Sequence, residues 1–141
     1  MEMTNTCACG SVTVTVKRKP DFIYDCDCNL CRKSGAAWGY FTADEVVAKG
    51  ETIAYARKDK NVPIVEIHSC AVCGSTTHFN LTDDYQAEHP DVDQVGVNMR
   101  LFDVQQLDGV ELQYPNGSAW SGEGPFGFRR KPETLSSDNP W

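Results

Sequence analysis

Positive charge is in short supply: 13 lysines and arginines face 20 aspartates and glutamates, for a formal charge of −7 at pH 7 and an isoelectric point near 4.8. That sign repels phosphate backbones and anionic bilayer surfaces, so neither nucleic acid nor a membrane is an expected partner. Basic runs are confined to Lys17-Arg18-Lys19 and Arg129-Arg130-Lys131, too little for a groove that tracks a polynucleotide. Also missing is any apolar run near the roughly 20 residues that cross a bilayer. Met1 to Thr6 carries neither the basic nor the apolar part of a secretion signal, and a cytoplasmic protein is expected. Internal repeats, heptads and low-complexity tracts are absent as well.

What is present has globular proportions. A chain of 141 residues with 40% hydrophobic, 23% charged and 10% aromatic residues has the length of one domain and too much apolar content to stay disordered. Ser11 to Val16 alternates β-branched residues with period two up to a stop near Pro20, the pattern of a half-buried strand. Further strands are predicted at Phe22 to Tyr24, Ala37 to Phe41, Thr52 to Ala56, Val62 to His68, His78 to Leu81, Val92 to Val97 and Val110 to Tyr114. Helix is predicted only as short turns. One follows the capping-box spacing of Thr42 and Glu45, and another lies at Asp103 to Leu107. Pro115-Asn116-Gly117 reads as a turn. From Lys131 the composition shifts to Pro, Ser, Asp and Asn, which predicts a domain over residues 1–130 and a weakly ordered tail over 131–141. The fold class is mainly β.

Cysteine carries the chemistry. All seven thiols fall in three groups: Cys7-Ala8-Cys9-Gly10, Cys26-Asp27-Cys28-Asn29-Leu30-Cys31, and Cys70-Ala71-Val72-Cys73-Gly74. In a reducing compartment such clusters serve metals or catalysis rather than disulfides, and an odd count cannot pair fully. A CxxC followed by glycine is a metal knuckle, because glycine takes the positive φ that a Cβ resists. Two paired motifs complete one tetrahedral zinc site, so Cys7, Cys9, Cys70 and Cys73 are assigned to a closed structural site. Cys26, Cys28 and Cys31 remain. Zinc held by three protein ligands keeps a fourth position for water or substrate, so this trio is the candidate catalytic centre. The alternatives are a second structural metal closed by Asp25, Asp27 or one of the three histidines, a trio closed by a cysteine from another cluster, or metal-free thiols.

Charge and softness extend that expectation. Three thiolates on a dication sum to −1 and a fourth brings −2, so neighbouring cations are required. Arg32 and Lys33 directly follow Cys31 and are the candidate substrate-binding residues. A thiolate-ligated soft metal favours sulfur as its next ligand, which makes a small thiol the natural substrate. Trp38, Tyr40 and Phe41 are candidates for the pocket wall.

The three cysteine motifs, with Tyr24 before the trio, Arg32, Ser34, Gly35 and Ala36 after it, Val97-Asn98-Met99-Arg100-Leu101-Phe102-Asp103, and Asn116-Gly117 with Trp120, resemble the glutathione-dependent formaldehyde-activating enzymes. The same pattern marks their relatives, the centromere-protein-V-like domain family. The resemblance spans about residues 5 to 125. It implies a β-tent-like fold of small antiparallel sheets clamped by two zinc ions per chain. Cys7, Cys9, Cys70 and Cys73 match the structural site, and Cys26, Cys28 and Cys31 the catalytic one. The implied activity is that of a carbon–sulfur lyase run in reverse, joining glutathione or a similar thiol to formaldehyde or another small aldehyde as a thiohemiacetal. A zinc-stabilised binding module without turnover is the competing expectation.

Overall fold

The Thr-Val alternation of β2 (Thr13–Val16) places Val14 and Val16 on one face, both fully buried, with the threonines opposite. β2 is the middle strand of a three-stranded antiparallel sheet, between β1 (Met3–Thr6) and β5 (Val46–Lys49). The computed structural model describes residues 1–141. It packs the buried face of this sheet against an eight-stranded one, where Val14, Val16 and Met3 join Ile23, Phe41, Val97, Leu112 and Leu135 in the main core.

The larger sheet comprises β3 (Phe22–Tyr24), β4 (Trp38–Phe41), β6 (Thr52–Ala56), β7 (Val65–Cys70), β8 (Thr76–Leu81), β9 (Val95–Asn98), β10 (Glu111–Pro115) and β11 (Phe128–Thr134). Their spatial order is β11-β10-β3-β4-β9-β8-β7-β6. Every junction is antiparallel except β3 with β10, where Ile23 lies opposite Leu112 in parallel register. A parallel pair cannot be closed by a hairpin and needs a long crossover, which the stretch between β3 and β10 provides. The face turned away from the main core carries a second, smaller cluster of Ala36, Trp38, Ile67 and Phe79, against which Leu30, Cys31 and Tyr40 pack.

The expected mainly β architecture with few short helical turns is the one observed. Asp103 caps a 3-10 turn over Val104–Leu107. At Thr42 the capping box forms, with Glu45 accepting from the Thr42 backbone N–H at 3.0 Å, and the chain then runs into β5 within one turn. The helices are α1 (Asn29–Ser34) and α2 (Asp83–Glu88), each six residues long. The boundary expected at Lys131 is moved by the structure. β11 continues through Thr134, and Leu135 beyond it is 1% exposed. The strand escaped prediction because it is a charged edge strand, Phe-Arg-Arg-Lys-Pro-Glu-Thr, with no apolar alternation.

Phe79 faces Gly96 across the β8–β9 pair, and its ring covers the glycine so closely that a Cβ there would lie 1.9 Å from a ring carbon. Gly96→Val should therefore force the ring out of the smaller cluster and cost about 1–3 kcal/mol. Urea denaturation monitored by circular dichroism checks this; an unchanged midpoint would contradict the packing.

Candidate metal centres

Two sets of sulfurs converge, in the pairing expected from their motifs. Cys7 and Cys9 follow β1, while Cys70 ends β7 and Cys73 lies in the turn after it. All four sulfurs lie within 4.8 Å of one another. Gly10 and Gly74 take φ of +83° and +79°, the left-handed conformation that each knuckle demands. Cys7 Sγ is 3.7 Å from Cys9 Sγ, and Cys9 Sγ is 3.8 Å from Cys70 Sγ. Tetrahedral zinc with sulfur at about 2.3 Å requires S···S edges of about 3.8 Å, so the donor set fits the ion. Backbone amides are aimed at these sulfurs: Val12 N–H donates to Cys7 at 3.2 Å, and Val72 and Cys73 N–H donate to Cys70 at 3.4 and 3.5 Å. The Ser75 hydroxyl, 3.2 Å from Cys73 Sγ, lowers that thiol's pKa to about 5. Cys7 and Cys70 are buried while Cys9 and Cys73 are exposed.

The second set is local in sequence. Cys26 ends the segment after β3, Cys28 is the N-cap of α1 and Cys31 sits in its first turn, with the three sulfurs again within 4.8 Å of one another. Cys28 Sγ accepts from Cys31 N–H at 3.4 Å, and Cys26 Sγ accepts from Cys28 N–H at 3.5 Å. Hydrogen bonds from Cys26 and Cys31 hold the Cys28 thiol down at about pKa 2, and the same proton sharing pushes Cys26 and Cys31 upward. Three sulfurs so close together resist ionising together. Ionising all three requires a cation, which is the behaviour of a metal-binding donor set.

The residues considered as a fourth ligand are engaged elsewhere. Asp27 accepts from Ser118 N–H and Ser118 Oγ–H, both at 3.0 Å. Asp25 is paired with Arg100 at 3.1 Å and Arg129 at 3.6 Å. His68 and His78 face each other across β7 and β8, stacked at 4.4 Å. Strand alternation puts them on the sheet face opposite Ile67 and Phe79. Burial lowers the His78 pKa to about 4. His89 stacks on Tyr85 at the end of α2.

Cavities lie on opposite sides of α1. One of about 410 Å³ is lined by Cys26 and Cys31 together with Asp25, Asp27, Arg32, Arg100 and Arg129. The other, of about 650 Å³, is lined by Lys33, Tyr55, Arg57, Lys58 and Asp59 among others, with no cysteine. The structure therefore separates Arg32 from Lys33, the two basic residues after Cys31. Trp38 and Tyr40 pack in the group that includes Cys31, whereas Phe41 belongs to the main core. Burial pushes the Tyr40 phenol well above its ordinary pKa, so it remains a proton-bearing donor.

Three contributors were not singled out from the sequence. Arg100 lies in the quoted segment Val97 to Asp103 and Arg129 in a basic run, but neither stretch places its arginine beside the trio, to which distant segments bring them. Gly117 lies against the trio, where a Cβ would come 2.2 Å from Cys26 Sγ. Its presence in a turn was readable, but the reason for glycine is this close approach.

Fold and geometry together define a β-rich protein with two thiolate clusters able to hold metal, one joining its sheets and one beside a cavity. The chain belongs to the glutathione-dependent formaldehyde-activating enzyme family, whose model matches residues 2–111. A Rhodobacter sphaeroides protein of known crystal structure is similar in fold, with a TM-score of 0.55 and 23% identity over 72% of this chain and 88% of its own. Comparison with curated proteins gives no match.

Distinct consequences follow for the two clusters. Cys73→Ser should unfold the chain, since metal binding that joins separate elements is folding free energy on the order of 10 kcal/mol. Gly117→Val should displace Cys26, retain the fold and reduce bound zinc from two ions per chain to one. Circular dichroism with metal analysis reads both, and loss of fold in the Gly117 variant alone would reverse the division.

Proposed function

We propose that this chain joins a small thiol to a small aldehyde as a thiohemiacetal, with glutathione and formaldehyde the pair suggested by its family. The observation that carries this reading is a trio of sulfurs, of which Cys26 and Cys31 line a cavity, while the neighbouring carboxylates are occupied by other partners. Cys26, Cys28 and Cys31 would hold a zinc ion, and the soft Lewis acidity supplied there would favour the thiolate form of a thiol. The chain's own residues do the rest. Gly117 lets the turn close over Cys26, and the Cys31 amide orients the Cys28 sulfur.

Arg32 supplies positive charge on the wall that contains the sulfurs, offsetting the excess of thiolate. In the reaction the thiol S–H proton leaves to solvent, the sulfur–carbon bond forms, the carbonyl π pair moves to oxygen and that oxygen gains a proton. No redox partner is required. No helix is long and apolar enough to cross a membrane, and a reducing cytoplasm would keep all seven thiols available for metal.

The reading is tested by a panel of thiols and aldehydes on protein of measured zinc content. Adduct formation should exceed the rate in buffer, and Cys28→Ser should return it to that rate with the circular dichroism spectrum unchanged. Equal rates with and without the zinc-loaded protein would leave a zinc-stabilised binding module instead.

A further inference from the structure

The two edges of the eight-stranded sheet are β11 and β6, and they are protected unequally. β11 reads Phe-Arg-Arg-Lys-Pro-Glu-Thr, and its run of like charge and its proline discourage another strand from pairing there. β6 reads Thr-Ile-Ala-Tyr-Ala, with no charge, no proline and an unbroken register against β7. Ile53 and Tyr55 lie two residues apart on one face of the sheet, 64% and 52% exposed. Packing within the chain does not account for these large apolar side chains at its rim.

The backbone of β6 points the same way. Glu51 C=O accepts from Ala71 N–H at 3.1 Å, and the β6–β7 register continues from that pair. Alternate residues of an antiparallel ladder turn toward the same neighbour. Ile53 and Tyr55 therefore turn their N–H and C=O groups to β7, while Thr52, Ala54 and Ala56 turn theirs outward. No strand lies on that side of β6, and no turn or loop bonds to those outward groups.

We propose that β6 pairs antiparallel with β6 of a second copy of this chain about a two-fold axis at Ala54, joining two eight-stranded sheets edge to edge. An axis perpendicular to the sheet keeps matching faces aligned and makes the contact self-complementary. Thr52 and Ala56 then exchange hydrogen bonds with Ala56 and Thr52 of the other copy, and Ala54 with its own counterpart. Ile53 falls opposite the second copy's Tyr55 at a non-hydrogen-bonded position, where facing side chains approach most closely. Charge selects this register. Glu51 and Arg57 flank the strand, one residue beyond either end, and each comes opposite the other across the junction. A slip of two residues sets Glu51 against Tyr55 or Asp59 instead and loses both pairs. Asp59 accepts from Arg57 Nε and Nη2 at 2.6 and 2.7 Å, which fixes the guanidinium at that end of β6. The inference is independent of the proposed reaction, since no cysteine lies in β6.

Sedimentation equilibrium of the full chain tests it. The expected result is a reversible dimer, twice the 15.6 kDa of one chain, forming at about 100 μM as suits a small interface. Ala54→Glu sets two carboxylates across the axis and should raise the dissociation constant about tenfold, with the circular dichroism spectrum unchanged. Glu51→Arg and Arg57→Glu should each weaken the dimer similarly by setting like charges opposite. An equimolar mixture of those two variants should dimerise as the unaltered chain does, because each copy then meets opposite charge at both ends. The mixture decides the question should Ala54→Glu fail to fold. A chain that stays monomeric, a dimer indifferent to Ala54→Glu, or a mixture no better than its components overturns the inference.

Discussion

The structure depends on the convergence of Cys7 and Cys9 with Cys70 and Cys73. These sulfurs come from the end of the first strand of the small sheet and the end of β7 near the edge of the large one, more than sixty residues apart. Closing so long a loop is entropically costly, and a cation shared by these four sulfurs would offset that cost at one point. The main core shows the same convergence: Cys7 and Cys70 are themselves among its buried members, beside Val12 and Val14. Apolar packing and the convergence of four sulfurs therefore fall at the same junction between the sheets.

The trio at Cys26, Cys28 and Cys31 answers to a different constraint. Its ligands lie within six residues, so its assembly closes no long loop and contributes little to the architecture. Freed from that duty, it rests on a short helix whose N-cap is itself one of the three cysteines, and is covered on one side by a turn that only glycine permits at that distance. A ligand set that is not needed to join the sheets can border a cavity without weakening the fold.

How much of this was legible depends on the range over which each signal acts. The β2 alternation, the knuckle glycines and the division of sulfurs into four and three are local patterns, and the fold reproduces them. α1 was hidden because its residues read first as metal motif. β1, with the sequence Met-Thr-Asn-Thr, offers only one buried side chain to the core and so no alternation to detect. α2 begins in a run of acidic residues behind Thr82, whose hydroxyl accepts from Tyr85 N–H at 3.2 Å. That cap was readable in principle, but no apolar periodicity supported it. The parallel pairing of β3 with β10 was beyond reach, since nothing within either strand specifies a partner nearly ninety residues away.

Net charge illustrates the same limit more sharply. A total of −7 correctly argues against polyanion binding, because long-range attraction follows the summed field. A cavity obeys its own lining, and the field there is set by groups within a few ångströms. Arg32, Arg100 and Arg129 come from three separate segments, and the fold brings them to one wall while Ser118 satisfies Asp27. The acidity of the chain and the cationic character of this wall are compatible, since most carboxylates lie elsewhere on the surface. The cationic part of this wall is a product of tertiary structure, whereas the sulfurs beside it lie within six consecutive residues.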